Sequence, residues 1–132
     1  MKVVKVAIAA IGLACGSAAM AQSSICSAVE GAKIVASDGK YLGVISNKYD
    51  SNSIYNKYGE YGNKYNSNSI WNKYGEYGNK YNSLSWSNRY SSDPPKIIKG
   101  RYIIGYLTEN KSISGGINPI IIGITCYDYD PG

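Results

Sequence analysis

The chain has 132 residues, a formal net charge of +5, and 14 tyrosines but no phenylalanine and no histidine. A chain without histidine lacks the usual general base of serine and cysteine nucleophiles and the commonest metal ligand. The surplus of positive charge is too small to indicate a nucleic-acid partner by itself. The composition therefore argues against a triad hydrolase and a histidine-based metal site, and the length predicts one small domain.

Residues 1–21 have the pattern of a secretory signal peptide. Two lysines precede a short, Ala-rich apolar run, and Ala19-Met20-Ala21 offers the small residues that a signal peptidase recognises. A membrane anchor would need about 20 unbroken apolar residues. A lipoprotein signal at Cys15 would need a branched apolar residue where Gly12 stands. We therefore predict export to the periplasm or the medium, no membrane span, and a single secreted domain over residues 22–132.

Cleavage of the leader would remove Cys15 and leave Cys26 and Cys126 as the only pair. In an oxidising compartment these two cysteines have one possible pairing, and it would join the two ends of the domain. A redox-active dithiol would instead place its cysteines close together in sequence. The spacing therefore predicts a structural disulfide.

Short branched segments on both sides of a polar region predict β-strands. Residues 33–46 have the pattern of a hairpin that turns at Ser37-Asp38-Gly39, and residues 96–108 that of a second hairpin turning at Lys99-Gly100. A further strand is predicted at residues 120–125, where an unbroken apolar run suggests burial on both faces. The predicted fold class is mainly β, a small antiparallel sheet of two hairpins plus a C-terminal strand.

The polar region between these segments is a tandem repeat. Residues 51–66 recur at residues 67–82 with a single change, and a degraded third copy begins at Ser83. Such near-identity predicts one structural unit per copy, so we interpret residues 47–95 as a repeat insertion within the domain. The alternative is a disordered low-complexity segment, which the regular spacing argues against.

Each copy is predicted to contain one short helical turn. Ser53 can cap a turn over residues 54–58, with Gly59 as a left-handed stop. A helix-like spacing of four, three and four residues relates Ile54, Tyr58, Tyr61 and Tyr65. A turn this short is unstable alone in water. We therefore expect these faces to pack on the sheet, so that the copies form a tyrosine-rich layer over it.

Tyrosine, tryptophan and asparagine are contact residues more than catalytic ones, because they combine rigid rings with hydrogen-bonding groups. Such a surface suits sugar rings, which stack on aromatic faces, or a flat protein partner. The candidate ligand contacts are Tyr58, Tyr61, Trp71, Tyr74 and Tyr77, with Lys57 and Lys73 beside them for acidic groups. The alternative is that these tyrosines form the core of a thin domain that has no phenylalanine.

We therefore expect a non-enzymatic binding module for cell-wall or capsular polysaccharide or for an envelope protein, with no cofactor and no metal. Export argues against a nucleic-acid partner. One alternative is a structural protein that self-associates through its repeat faces. A glycan hydrolase that uses Glu60 and Glu76, which occupy equivalent places in successive copies, is the weakest hypothesis. A glutamate at a repeat position commonly balances only the neighbouring lysines.

The repeat also resembles a group of small exported bacterial proteins, through the segments 53–65 and 85–90 and through Pro94-Pro95. Those proteins carry tandem Ser-x-Ser-Ile-x-Asn-x-Tyr-Gly-x-Tyr-Gly segments followed by Pro-Pro and a strand. The resemblance covers residues 47–108. The group has no assigned activity, so the resemblance implies an exported repeat protein and assigns no catalytic or binding residue. The third copy lacks the Tyr-Gly-x-Tyr-Gly core, which suggests that it caps the array.

Overall fold

The computed structural model describes residues 24–132, and the predicted signal peptide at residues 1–21 lies outside the described residues. The described chain contains a five-stranded sheet with the strand order β2-β1-β3-β4-β5. The strands are β1 Lys33–Val35, β2 Tyr41–Val44, β3 Lys96–Lys99, β4 Tyr102–Leu107 and β5 Gly116–Ile117. The mainly-β fold class is therefore confirmed. Within residues 24–132, no helix is long and apolar enough to cross a bilayer.

The sheet is mixed rather than wholly antiparallel. β1 pairs antiparallel with both β2 and β3, and β3 pairs antiparallel with β4. The chain reverses between β1 and β2 at Gly39 and between β3 and β4 at Gly100, whose positive φ angles of 90° and 63° suit tight turns. The edge strand β5 runs parallel to β4. The prediction of a purely antiparallel sheet is therefore wrong at this edge.

Two helices lie at the ends of the described chain, α1 at residues 24–29 and α2 at Pro119–Tyr127. The strand predicted at residues 120–125 is therefore wrong. The side-chain oxygen of Asn118 caps α2 by accepting a hydrogen bond from the Ile120 N–H at 2.8 Å. Pro119 stands in the first turn, where its fixed φ suits a helix and its missing N–H is not needed. These two local signals outweigh the strand propensity of the isoleucine run.

A disulfide bond joins the two helices. Cys26 in α1 bonds to Cys126 in α2 across 100 residues of sequence, with the Cα atoms 5.5 Å apart, so the predicted pairing is confirmed. The Tyr127 hydroxyl donates to a carboxylate oxygen of Glu30 at 2.5 Å. Lys99 Nζ in β3 donates to two carbonyl oxygens of α1 at 2.9 Å and 3.0 Å. The ends of the domain are thus tied to each other and to the sheet.

Residues 47–94 form three consecutive coils of 16 residues, coil 1 at 47–62, coil 2 at 63–78 and coil 3 at 79–94. Each coil is a run of tight turns in which a backbone N–H donates to the carbonyl oxygen three residues earlier. In coil 1 the turns open at Asn47, Asp50, Ser53, Asn56 and Gly59. The last hydrogen bond of coil 1 spans four residues, because the Asn63 N–H at the start of coil 2 donates to the Gly59 carbonyl oxygen. The same order of turns recurs 16 residues later. The bonding therefore divides the region into three copies that begin at Asn47 rather than at Ser51.

Asparagine and serine open these turns because their side chains bond to the backbone two residues further on. Asn56 Oδ1 accepts from the Tyr58 N–H at 3.0 Å, and Ser69 Oγ accepts from the Trp71 N–H at 3.1 Å. The side-chain amide of Asn56 also donates to the Asp50 carbonyl oxygen at 3.1 Å, which links two turns of one coil. The repeated polar residues therefore build the coil backbone itself.

Two details of the predicted turn are wrong. Residues 47–94 contain no α-helix, and Gly59 lacks the positive φ of a left-handed stop. The physical reason is that each opening side chain binds the N–H two residues on, which offers the backbone an alternative to helical bonds. Each turn therefore ends where the next one begins.

The coils stack on one another and on the sheet. The Trp71 indole N–H donates to the Ile54 carbonyl oxygen at 2.5 Å, and the Trp86 indole N–H donates to that of Ile70 at 2.7 Å. The Ile54 N–H donates to the Val44 carbonyl oxygen at 3.0 Å, which joins coil 1 to β2. The buried core contains Ile54, Ile70 and Trp86 of the coils together with Ile34, Leu42, Ile97 and Leu107 of the sheet region. Coils and sheet therefore share one hydrophobic core.

Candidate ligand groove

Six tyrosines extend outward from the coils in two rows. The first tyrosine row is Tyr49, Tyr65 and Tyr81, and the second tyrosine row is Tyr58, Tyr74 and Tyr90. Each of these side chains is at least 80% exposed, and those of Tyr58 and Tyr74 reach 98% and 96%. Every ring lies two residues after an asparagine whose side-chain oxygen accepts a hydrogen bond from the tyrosine N–H. The hydrogen bond from each tyrosine N–H therefore fixes the position from which its ring projects into solvent.

A cation precedes every tyrosine of both rows. The cations are Lys48, Lys64 and Lys80 beside the first row, and Lys57, Lys73 and Arg89 beside the second row. In the first row each lysine Nζ lies over the ring of the tyrosine that follows it, at 5.7 Å, 5.3 Å and 5.2 Å from the centroid in coils 1, 2 and 3. Such cation–π contacts hold the positive charge beside the exposed rings.

A groove with a volume of about 1340 Å³ lies along coils 2 and 3. Its lining includes rings of both tyrosine rows, namely Tyr65, Tyr74, Tyr81 and Tyr90. The half-buried Trp71 and the buried Trp86 line its inner part, and their ring centroids are 5.5 Å apart in an edge-to-face arrangement. Among the described residues, five cationic side chains and one acidic side chain, that of Glu109, line this groove. The groove is therefore aromatic, polar and positively charged.

A smaller cavity of about 560 Å³ has the same kind of lining at coil 1. It includes the coil 1 members of both rows and their cations, Lys48, Tyr49, Lys57 and Tyr58. The acidic C-terminal tail, residues 128–130, lines this cavity too, and Lys57 Nζ lies 5.4 Å from the ring centroid of Tyr129. The coil 1 part of the surface is thus in contact with a segment that carries two carboxylates.

The tail is held in place by aromatic contacts. The Tyr129 ring stacks on Trp71 with centroids 5.1 Å apart, and it meets Tyr55 at the same centroid distance. The Tyr55 hydroxyl donates to the Pro119 carbonyl oxygen at 2.7 Å, which docks α2 on coil 1. Burial raises the pKa of Tyr55, and burial together with the charge of Asp130 raises the pKa of Tyr129 to about 12. Both hydroxyls therefore stay protonated at neutral pH.

The predicted ligand contacts divide into outward and inward groups. Tyr58, Tyr74, Lys57 and Lys73 are exposed along the second row, and Trp71 lines the inner groove. Tyr77 is only 7% exposed, and its hydroxyl donates to Asp38 Oδ2 at 2.9 Å. Burial and the bond to Asp38 raise the pKa of Tyr77 to about 12. Tyr77 therefore belongs to the core and not to the groove.

Tyr61 also packs inward. Its ring lies edge-on to Tyr41 of β2, with centroids 5.1 Å apart, and partial burial raises the pKa of the Tyr61 hydroxyl. The predicted packing face of Ile54, Tyr58, Tyr61 and Tyr65 is therefore wrong, because Tyr58 and Tyr65 are exposed while Ile54 is buried. Successive turns of a coil begin three residues apart, so the aromatic side chains of one copy point in different directions. A helix would place them on one face.

The sequence interpretation missed most of the two rows. Tyr49, Tyr65, Tyr81 and Tyr90 were not among the predicted contacts, although all of them are exposed. The signal that identifies them is the pair Lys-Tyr or Arg-Tyr directly after an asparagine, which occurs twice in every coil. It becomes visible only when the copies are aligned from Asn47.

The paired glutamates proposed for hydrolysis lie outside the groove. Glu60 Oε2 accepts a hydrogen bond from the Asn68 side-chain amide at 2.7 Å, and the Glu76 side chain is exposed. Neither carboxylate lines the groove or the smaller cavity. Within residues 24–132, no group of three or more His, Cys, Asp or Glu side chains is arranged to hold a metal ion.

Comparisons of the chain with protein-family models, with curated proteins and with solved structures found no match. The resemblance to exported repeat proteins therefore stays a prediction.

Proposed function

We propose that the protein is an exported, non-enzymatic binding module that holds a glycan of the cell envelope against its two tyrosine rows. The observation that carries this proposal is the repeated exposure of six tyrosines beside six cations. Export is supported by the bond between Cys26 and Cys126, since disulfides persist mainly in oxidising compartments.

Exposed rings in a regular row are difficult to explain by folding alone. A tyrosine that is 98% exposed, as Tyr58 is, buries almost no apolar surface and contributes little to the hydrophobic core. Stability would be better served by a charged or small polar residue at such a place. The repetition of the same ring in all three coils therefore favours a contact role over a packing role.

The chemistry of the groove suits sugars. The C–H faces of pyranose rings stack on aromatic rings, while side-chain amides and phenol hydroxyls can both donate to and accept from sugar hydroxyls. Asn63, Asn79 and Asn88 line the groove beside the tyrosines, and Trp71 adds a larger aromatic surface. Because the rows cross all three coils, the surface is longer than a single sugar and suits a linear chain.

The proposal can be tested with a double variant of the exposed rings. We expect Tyr74→Ala combined with Tyr81→Ala to weaken binding to isolated cell-wall or capsular polysaccharide by about tenfold or more, because each lost stacking contact contributes about 1 kcal/mol. Affinity electrophoresis in gels that contain the polysaccharide gives the comparison. The melting temperature should stay within a few degrees of the wild type, since both side chains are exposed.

The matched control is Tyr102→Ala. Tyr102 is 74% exposed on β4 and does not line the groove, so its removal should leave binding unchanged. An equal loss of polysaccharide affinity in the control and in the double variant would contradict the proposed site. If the wild type shows no retention at all, and the double variant changes only the mass measured by light scattering, the tyrosine rows serve self-association instead.

A further inference from the structure

We infer that the glycan recognised by the groove is a linear acidic polysaccharide that carries carboxylates at the spacing of its sugar units. This inference rests on the proposed function and adds the chemical class of the ligand. Three independent features carry it: the charges that line the groove, the distance between equivalent positions of adjacent coils, and the position of the acidic tail.

The first feature is the charge of the groove. Lys57, Lys64, Lys73, Lys80 and Arg89 line it, and Glu109 is the acidic side chain among the described lining residues. The cations come from both rows, so a chain lying between them would meet positive charge on either side. A neutral glycan would leave these charges without partners, whereas carboxylates on the chain would pair with them.

The second feature is the repeat distance. Tyr55 and Trp71 occupy the same place in coils 1 and 2, and their ring centroids are 6.2 Å apart. Adjacent coils are therefore closely stacked, so the exposed cations recur along each row once per coil. A chain that carries a carboxylate on every unit, or on alternate units, would likewise present charge at regular intervals along the groove.

The third feature is the tail of the protein itself. Asp128 and Asp130 line the coil 1 cavity together with Lys48 and Lys57, and Tyr129 between them lies under Lys57 Nζ and against Trp71. A short segment with two carboxylates, one on either side of a ring, thus already lies against the coil 1 part of the rows. The tail presents the chemistry that we assign to the ligand. Tyr129, Pro131 and Gly132 also border the groove, so the tail lies beside the section where we place the ligand.

Two probes with the same backbone separate charge from sugar recognition. Polygalacturonate has one carboxylate per sugar unit, and its fully methyl-esterified form has none. We expect the wild-type protein to bind polygalacturonate at least tenfold more tightly than the ester in isothermal titration at low salt. Raising the salt concentration should reduce this preference, because the pairs are solvent-exposed.

Variants locate the charge effect. Lys73→Gln combined with Lys80→Gln should weaken polygalacturonate binding about tenfold or more. The control, Lys40→Gln combined with Lys111→Gln, changes the net charge equally outside the groove and should change the affinity less than twofold.

Asp128→Asn combined with Asp130→Asn should strengthen polygalacturonate binding several-fold, because it removes charge of the same sign as the ligand from the coil 1 section. Asparagine also tolerates the left-handed conformation of residue 128, where φ is 53°.

The outcomes are distinguishable. Equal affinity for polygalacturonate and for its ester would overturn the inference and leave the proposed function standing. Binding to cell-wall polysaccharide without binding to either probe would overturn the inference in the same way, whereas no binding to any of these polymers would defeat both. Tighter binding to single-stranded polythymidylate than to polygalacturonate would replace the acidic glycan by a nucleic acid. An equal loss of polygalacturonate affinity in the two double lysine variants would show that the charge effect does not come from the groove, and would overturn the inference.

Discussion

Gly78→Ala is expected to lower the free energy of unfolding by about 3 kcal/mol or more, a loss that few single substitutions produce. A Cβ atom at position 78 would overlap the Asn72 carbonyl oxygen and lie 2.6 Å from the Ile70 carbonyl oxygen. Both atoms belong to the backbone of the same coil and cannot move aside without breaking its turns. Glycine at the end of coil 2 is therefore required by close packing of the chain against itself.

The matched control is Gly75→Ala, three residues earlier. A Cβ atom there would meet only the Asn72 side chain, at 3.3 Å from Nδ2, so we expect a change of less than about 1 kcal/mol. Urea unfolding followed by tryptophan fluorescence measures both variants, because Trp71 and Trp86 report on the coils. Similar midpoints for the two variants would contradict the coil geometry described here.

Removal of the disulfide is the second large effect. We expect Cys26→Ser combined with Cys126→Ser to lower the melting temperature by about 15–25 °C. The bond closes a loop with a sequence separation of 100 residues, and the chain-entropy model gives about 4.7 kcal/mol for a loop of this size as an upper value. A loss of about 3–4 kcal/mol in a domain near 100 residues corresponds to such a shift.

Differential scanning calorimetry of the oxidised protein, the reduced protein and the double serine variant provides the test. The reduced protein and the variant should melt at similar temperatures, since both lack the same constraint. A shift below about 5 °C would mean that the contacts around the bond, such as the Tyr127–Glu30 hydrogen bond, already hold the two ends together.

The fold class could be predicted because turn residues and branched residues alternate outside the repeats. Ser37-Asp38-Gly39 is a strong turn signal, and Gly39 has the positive φ that such a turn requires. The C-terminal run carried two competing signals. Its isoleucines favour a strand, whereas Asn118-Pro119 favours a helix start, and the helix that forms packs with Gly123 against the Tyr55 ring of coil 1. That contact is not visible in a local stretch of sequence.

The candidate site could be predicted only in part, for a related reason. The residue types of the groove, tyrosine, lysine and asparagine, follow from the composition of the repeat. Which tyrosines face outward depends on the three-residue step of the turns, and this step is set by hydrogen bonds such as that from the Tyr58 N–H to Asn56 Oδ1. The contact chemistry of tyrosine predicts Tyr77 as a ligand contact, whereas the coil buries it against Asp38.

The central claim is that the exposed rings of coils 2 and 3 contact a glycan, and nitration of tyrosine tests it most directly. The protein is treated with tetranitromethane in the presence and absence of cell-wall polysaccharide, and mass spectrometry measures the modification of each tyrosine. We expect Tyr65, Tyr74, Tyr81 and Tyr90 to be protected by the polysaccharide, while Tyr102 on β4 reacts equally in both samples. Protection of Tyr102 to the same extent, or unchanged reactivity of the four groove tyrosines under conditions where the protein is retained on the polymer, would contradict the account.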